Sequence, residues 1–240
     1  MEGGLSSFFY GSFETALNEA VLERAYKFVP QKLLAYLRNI ASIPCEDFVD
    51  HVINKMSREG ITTNDIPQFS NWLDGTDVVC EKILEAGDQG YSIYDVGKML
   101  RGVAVPSQRD EVKKFIVACR KYGEGHAKLA RSLGLLQECE NVYFLSCIGL
   151  CWRNVPPELK ARLYTRLILR MKFVRLLLQD AASGPVSVKA LASCVGLSAW
   201  SIYRRHSNVV CLLDKLAATD EYDFSPLISR IDTDSMLERP

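Results

Sequence analysis

Long apolar runs, paired cysteines and an excess of either charge are all missing from this 240-residue chain. No stretch reaches the roughly 18 uninterrupted apolar residues of a membrane helix, so no membrane association is expected. The opening MEGGLSSFFYGSFE has neither a basic leader nor an apolar core, so no secretory address is read there and the cytoplasm is the expected compartment. The eight cysteines, at 45, 80, 119, 139, 147, 151, 194 and 211, include no C-x-x-C pair and no histidine at a finger-like spacing. They are expected to be buried small hydrophobes in a reducing cell. Cys139, Cys147 and Cys151 come nearest to a zinc set, and none is expected. Lysine plus arginine equal aspartate plus glutamate at 29 each, unlike a dedicated nucleic-acid protein.

Phosphate loops, dinucleotide fingerprints and nucleophile elbows are absent as well. Gly123-Glu124-Gly125 lacks a third glycine and a preceding strand. The E-x-K letters of a restriction nuclease occur at Glu111-Val112-Lys113 and Glu158-Leu159-Lys160. Both lie in helical text without the acidic strand that such a metal site needs. No catalytic role, metal or small cofactor is therefore expected.

The hydrophobic share is 48%, enough for one or two ordinary cores. Charge is unevenly spread. Between Arg153 and Arg205 ten cations face only Glu158 and Asp180, whereas the tail after Asp214 is acidic. The first 70 residues predict helices over Phe13–Phe28, Gln31–Ile40 and Cys45–Glu59, with stops at Pro30 and at Gly60 and the T-T-N-D-I-P stretch. From 71 to 152, helices are predicted over Asp77–Ala86, Ser92–Leu100, Asp110–Tyr122 and Gly125–Leu133. Alternation over Leu135–Ser146 then predicts a β-hairpin. A helix over Pro157–Gln179 follows.

Residues 187 to 205, SVKALASCVGLSAWSIYRR, predict a helix-turn-helix. Ala192 is small where the helices touch, Gly196 suits a left-handed turn, and Ser198 is placed to cap the second helix. An internal repeat lies at an offset of 95: Val79, Ile83, Ala86, Ser92, Ile93, Val96 and Leu100 correspond to Val174, Leu178, Ala181, Ser187, Val188, Leu191 and Val195. Gly97 and Ala192 then share the small position.

Ala130, Leu133-Gly134-Leu135, Tyr143-Phe144-Leu145-Ser146 and Gly149 resemble a winged-helix signature in which the recognition helix ends at Leu-Gly-Leu and the hairpin carries Tyr-x-Leu-Thr. Leu197-Ser198, Ser201-Ile202, Arg204-Arg205 and Val209 resemble the second module of such a pair. The family is that of tandem winged-helix domains accompanying prokaryotic restriction endonucleases and defence proteins. The chain departs from it at Ser146, at Leu212-Leu213 in place of a tryptophan, and in a stretched loop over 101–110.

The resemblance covers about 71–218 and implies winged-helix domains over 71–152 and 153–218; with the helical region read over 1–70 and the acidic tail over 219–240, the expected fold is mainly α with small β-hairpin wings. The resemblance also implies binding of double-stranded DNA, as a regulator or as the recognition component of a restriction or defence system. The helix from Ser198 would enter the major groove with Ala199, Trp200, Ser201 and Arg204 exposed, while Lys189 and Arg205 grip phosphate. The equivalent helix of the first copy offers His126, Lys128 and Arg131, approached by Arg109, Lys113, Lys114, Arg120 and Lys121. The alternative is a protein-interaction module, with a protein partner or second copy docked on the amino-terminal helices. Cations that converge on one exposed face favour DNA, and scattered ones favour the alternative.

Overall fold

Apolar side chains at helical spacing make this chain mainly helical, with a few short strands between the helices. The computed structural model describes Phe8, Phe9 and residues 29–68, 75–87, 89–102 and 104–238. The helix expected over Phe13–Phe28 lies outside them. The chain divides into two compact units, which do not follow the four consecutive blocks expected from sequence. One holds Phe8 and Phe9 with 38–68 and 157–238; the other holds 29–37 with the described residues from 75 to 156. The division falls within helix α1 (Val29–Ser42). Pro30, expected to stop a helix, sits in the first turn of α1, where its missing N–H has no partner to lose.

In the second of these units, α3 (Thr76–Ala86) buries Val79, Cys80 and Ile83. Strand β1 (Tyr91–Ser92) leads into α4 (Ile93–Arg101), which Ser92 and Asp95 close in a reciprocal capping box. Helix α5 (Arg109–Ser132) follows, then the hairpin β2 (Leu136–Cys139) and β3 (Val142–Leu145), and α6 (Cys147–Trp152), capped by Ser146. Glu140 and Asn141 take positive φ of 51° and 63°, the primed turn that matches strand twist. The hairpin thus stands where the alternation placed it. β1 pairs antiparallel with β3, giving the order β1-β3-β2.

Two helices were expected where α5 runs unbroken for 24 residues through Gly123-Glu124-Gly125. The glycines mark a close crossing rather than a stop. A Cβ on Gly97 would lie 1.8 Å from the carbonyl oxygen of Cys119, and one on Gly123 would lie 2.0 Å from that of Ile93. The backbones of α4 and α5 touch there, and packing overrides the low helix propensity of glycine.

The other unit begins with α2 (Cys45–Asp50), which widens into a π-helical turn over His51–Lys55 and ends at the extended Met56. The helix expected to reach Glu59 stops early because Gln179 donates to the carbonyls of Val52 and Met56. The single helix expected over Pro157–Gln179 is two, α7 (Pro157–Arg170) and α8 (Lys172–Ser183), broken at Met171 with ψ of 122°. Then come β4 (Val186–Ser187), α9 (Val188–Cys194), α10 (Ala199–Ala217), α11 (Ser225–Ile228), β5 (Ile231–Asp232) and a 3-10 turn over Asp234–Leu237. Phe173, Leu177, Val188, Ala192, Ile202, Val209 and Leu213 form its core with Ile66, Ile231 and Met236. Segment 38–68 and the tail, expected as separate blocks, are therefore parts of this fold. The burial of their apolar residues requires it.

The offset of 95 recurs in the elements. β1 and β4, the capping Ser92 and Ser187, and the starts of α4 and α9 are each 95 residues apart. The copies diverge afterwards. Among the described residues no antiparallel hairpin follows α10; β4 instead pairs in parallel with β5 of the tail. No described helix is long and apolar enough to cross a membrane.

Opposite substitutions at the two small positions should both destabilise. Gly97→Ala forces a methyl group into a backbone carbonyl and should destabilise its unit by about 1–3 kcal/mol or more. Ala192→Gly should cost about 1 kcal/mol through helix propensity. Urea unfolding of each variant measures both, and a neutral Gly97→Ala would contradict the close crossing.

Candidate nucleic-acid interface

The cations between Arg153 and Arg205 fail to gather on one face. Arg166, fully buried, is clasped by Glu221 and donates to the carbonyl of Ile43 at 2.9 Å, with its guanidinium 5.3 Å from the Phe48 ring centroid. Arg162 also faces Glu221, at 3.6 Å. Arg175 and Lys172 share Glu59 at 3.0 and 3.7 Å. Arg170 lies over Phe8. Lys189 is paired with Glu238 of the tail. Most of the basic block holds its own unit together.

Along the helix from Ser198 the arrangement is mixed. The Ser198 hydroxyl accepts from the Ser201 N–H at 3.3 Å and caps α10 as expected. Ala199 and Ser201 are half-buried. Trp200 is 56% exposed and stacks on Tyr203 with centroids 5.5 Å apart. Arg204 is exposed, with no ion pair among the described residues. Arg205, expected to grip phosphate or to meet an acidic neighbour, instead donates to the carbonyls of Thr63 and Ile66 at 2.6 and 3.0 Å. Burial pushes its guanidinium below the usual value. The T-T-N-D-I-P stretch supplies those carbonyls: Asp65 accepts from the Thr62 N–H and hydroxyl and closes the turn that presents them.

In the other unit, the residues singled out from sequence are not the available ones. His126 is buried, packed edge-on against Tyr122 at 4.6 Å, and a Cβ on Gly75 would lie 2.6 Å from its ring. Lys128 pairs with Glu124 and Arg131 with Glu138, each at 2.5 Å. Just before them on α5, Arg109, Lys113, Lys114, Arg120 and Lys121 are exposed, and none has an ion pair among the described residues.

These five side chains share one face. At 3.6 residues per turn they fall within an arc of about 140°, along roughly 20 Å of helix. Val117, 67% exposed, lies at the middle of that arc. The opposite face carries the buried Phe115 and Cys119. Asp110 and Glu111 sit in the first turn, where they favour the helix start. The sequence did show these cations, but their freedom from pairing depends on tertiary structure.

Among the described residues no group of three or more acidic, histidine and cysteine side chains is placed to hold a metal. Burial pushes the thiols of Cys45 and Cys151 up to about 11, away from nucleophilic use. Cys139 and Cys194 are exposed, contrary to the expected burial, because they stand at the hairpin end and at the end of α9. Comparison with family models, curated proteins and solved structures returned no match to this chain.

Burial lowers the pKa of His126 from 6.5. The unfolded chain takes up this proton at a higher pH than the folded one, so its contribution makes stability fall as pH drops below 6.5. Urea midpoints measured at about pH 7 and pH 5 should fall less in His126→Asn than in the wild type. An equal fall would exclude His126 as a source of acid sensitivity.

Proposed function

We propose that this chain binds double-stranded DNA through the cationic face of α5. The observation that carries the reading is the set of five exposed cations, Arg109, Lys113, Lys114, Arg120 and Lys121, without ion pairs among the described residues and on one helix face. A major groove about 12 Å wide admits such a helix, and the lysines and arginines would neutralise phosphates along it. The order helix, strand, helix, helix, hairpin over residues 76–145 supports a winged-helix reading of this unit, with α5 as its third helix. The sequence resemblance points the same way. It extends the proposal to a regulator or the recognition component of a restriction or defence system.

The second copy contributes less to this grip, since Lys189 and Arg205 are held within the protein. Its exposed Trp200, stacked on Tyr203, favours a second reading in which α10 docks a protein partner.

Fluorescence polarisation on mixed-sequence duplex over a range of salt tests the DNA reading. Five phosphate contacts predict a slope of log affinity against log salt of about −4 to −5. Lys113→Ala with Lys121→Ala should reduce the slope by about 2. Lys189→Ala should leave it unchanged. Undetectable binding at low salt, or a slope indifferent to the α5 pair, would reject the proposal.

A further inference from the structure

A small pocket opens beside α10, of about 160 Å³, lined among the described residues by Gln68, Ser201, Arg204, Arg205 and Asn208. The four residues from α10 stand at i, i+3, i+4 and i+7 and so share one face. Gln68 follows the turn that holds Arg205. Every one of these side chains can donate a hydrogen bond, and no carboxylate stands among them.

Among the described residues, no acid answers the charge in this pocket. The Arg205 guanidinium is half-buried, yet its bonds go to the neutral carbonyls of Thr63 and Ile66, which satisfy N–H groups without cancelling the charge. Beside it, Arg204 has no ion pair among the described residues. Ser198 donates to the Ser201 oxygen at 3.0 Å, which leaves the Ser201 hydroxyl hydrogen for another acceptor. A pocket with two guanidiniums, a free hydroxyl hydrogen and no acid among the described residues is built for an anion.

Size narrows the class. Sites for drug-sized molecules are about 300–1,000 Å³, so this one accommodates a single charged group rather than a whole nucleotide. Planar guanidinium forks match the oxygen pairs of a tetrahedral oxyanion. We propose that this pocket binds a phosphate-type oxyanion, free or as the terminal group of a small phosphate ester, with Arg204 as its main ligand and Gln68 and Ser201 completing the shell. The site is separate from the α5 face and does not depend on duplex binding there.

Calorimetric titration of the full chain with inorganic phosphate, at constant ionic strength in chloride, tests it. Saturable binding is expected, with a higher melting temperature in phosphate than in chloride. Arg204→Gln should weaken binding about tenfold or more, the loss of one charge-assisted hydrogen bond. Gln68→Ala should weaken it from the opposite wall. Both side chains lack a structural bond within the described residues, so these variants keep the fold, whereas Arg205 is left in place because it secures the 62–66 turn. Lys113→Ala with Lys121→Ala should bind phosphate like the wild type, which separates this site from the duplex proposal. A phenyl phosphate arm tells the sources apart: tighter binding than inorganic phosphate marks an ester site, and equal or weaker binding marks the free ion. No saturable binding by the wild type, equal affinity in Arg204→Gln and Gln68→Ala, or loss of binding in the α5 pair would each overturn the proposal.

Discussion

Burial of Arg166 is the constraint around which the unit of residues 38–68 and 157–238 is organised. A fully buried guanidinium must be paired, and removing one partner of such a pair typically costs about 3–5 kcal/mol. Glu221 from the tail, the Ile43 carbonyl ahead of α2 and the Phe48 ring all close on it. Two segments far apart in sequence, 43–48 and the tail, are thereby held against α7. Glu59 does the same for Arg175, and Asp180 for Arg58, so the ion pairs repeatedly join segment 38–68 to α8.

This arrangement changes the meaning of the basic block. Ten cations against two acids suggest a nucleic-acid surface when counted along the chain. In space their partners arrive from outside the block, from Glu59 before it and from Glu221 and Glu238 after it. The acidic tail is an internal counterion that also contributes Phe224, Ile231 and Met236 to the core. Among the described residues, α5 carries five exposed cations without ion pairs on one face, and Arg204 is likewise exposed and without one. The two copies divide accordingly. The first keeps a hairpin and a charged helix face, whereas the second gives its strand to the tail and its helix to a small polar pocket.

Local rules made much of the fold legible. Ser198 caps the helix it precedes, Gly196 takes φ of 86° at its turn, and the hairpin forms around Glu140-Asn141. Errors arose wherever a distant segment decided the outcome. The Gly123-Glu124-Gly125 run is helical because α4 presses on it. Arg205 is tied to a turn 139 and more residues away. Lys128 meets Glu124 at the ordinary i,i+4 helix spacing, but Arg131 and Lys189 find partners that no spacing rule places beforehand, so the site residues were less legible than the elements that carry them.

On the proposed reading α5, and not the basic block, presents its charge to DNA. Lysine acetylation of the full chain with and without duplex, read by mass spectrometry residue by residue, measures this directly. Duplex should protect Lys113, Lys114 and Lys121 while Lys172 and Lys189 react as in the free protein. Protection of Lys172 and Lys189 with Lys113, Lys114 and Lys121 unchanged would contradict that reading.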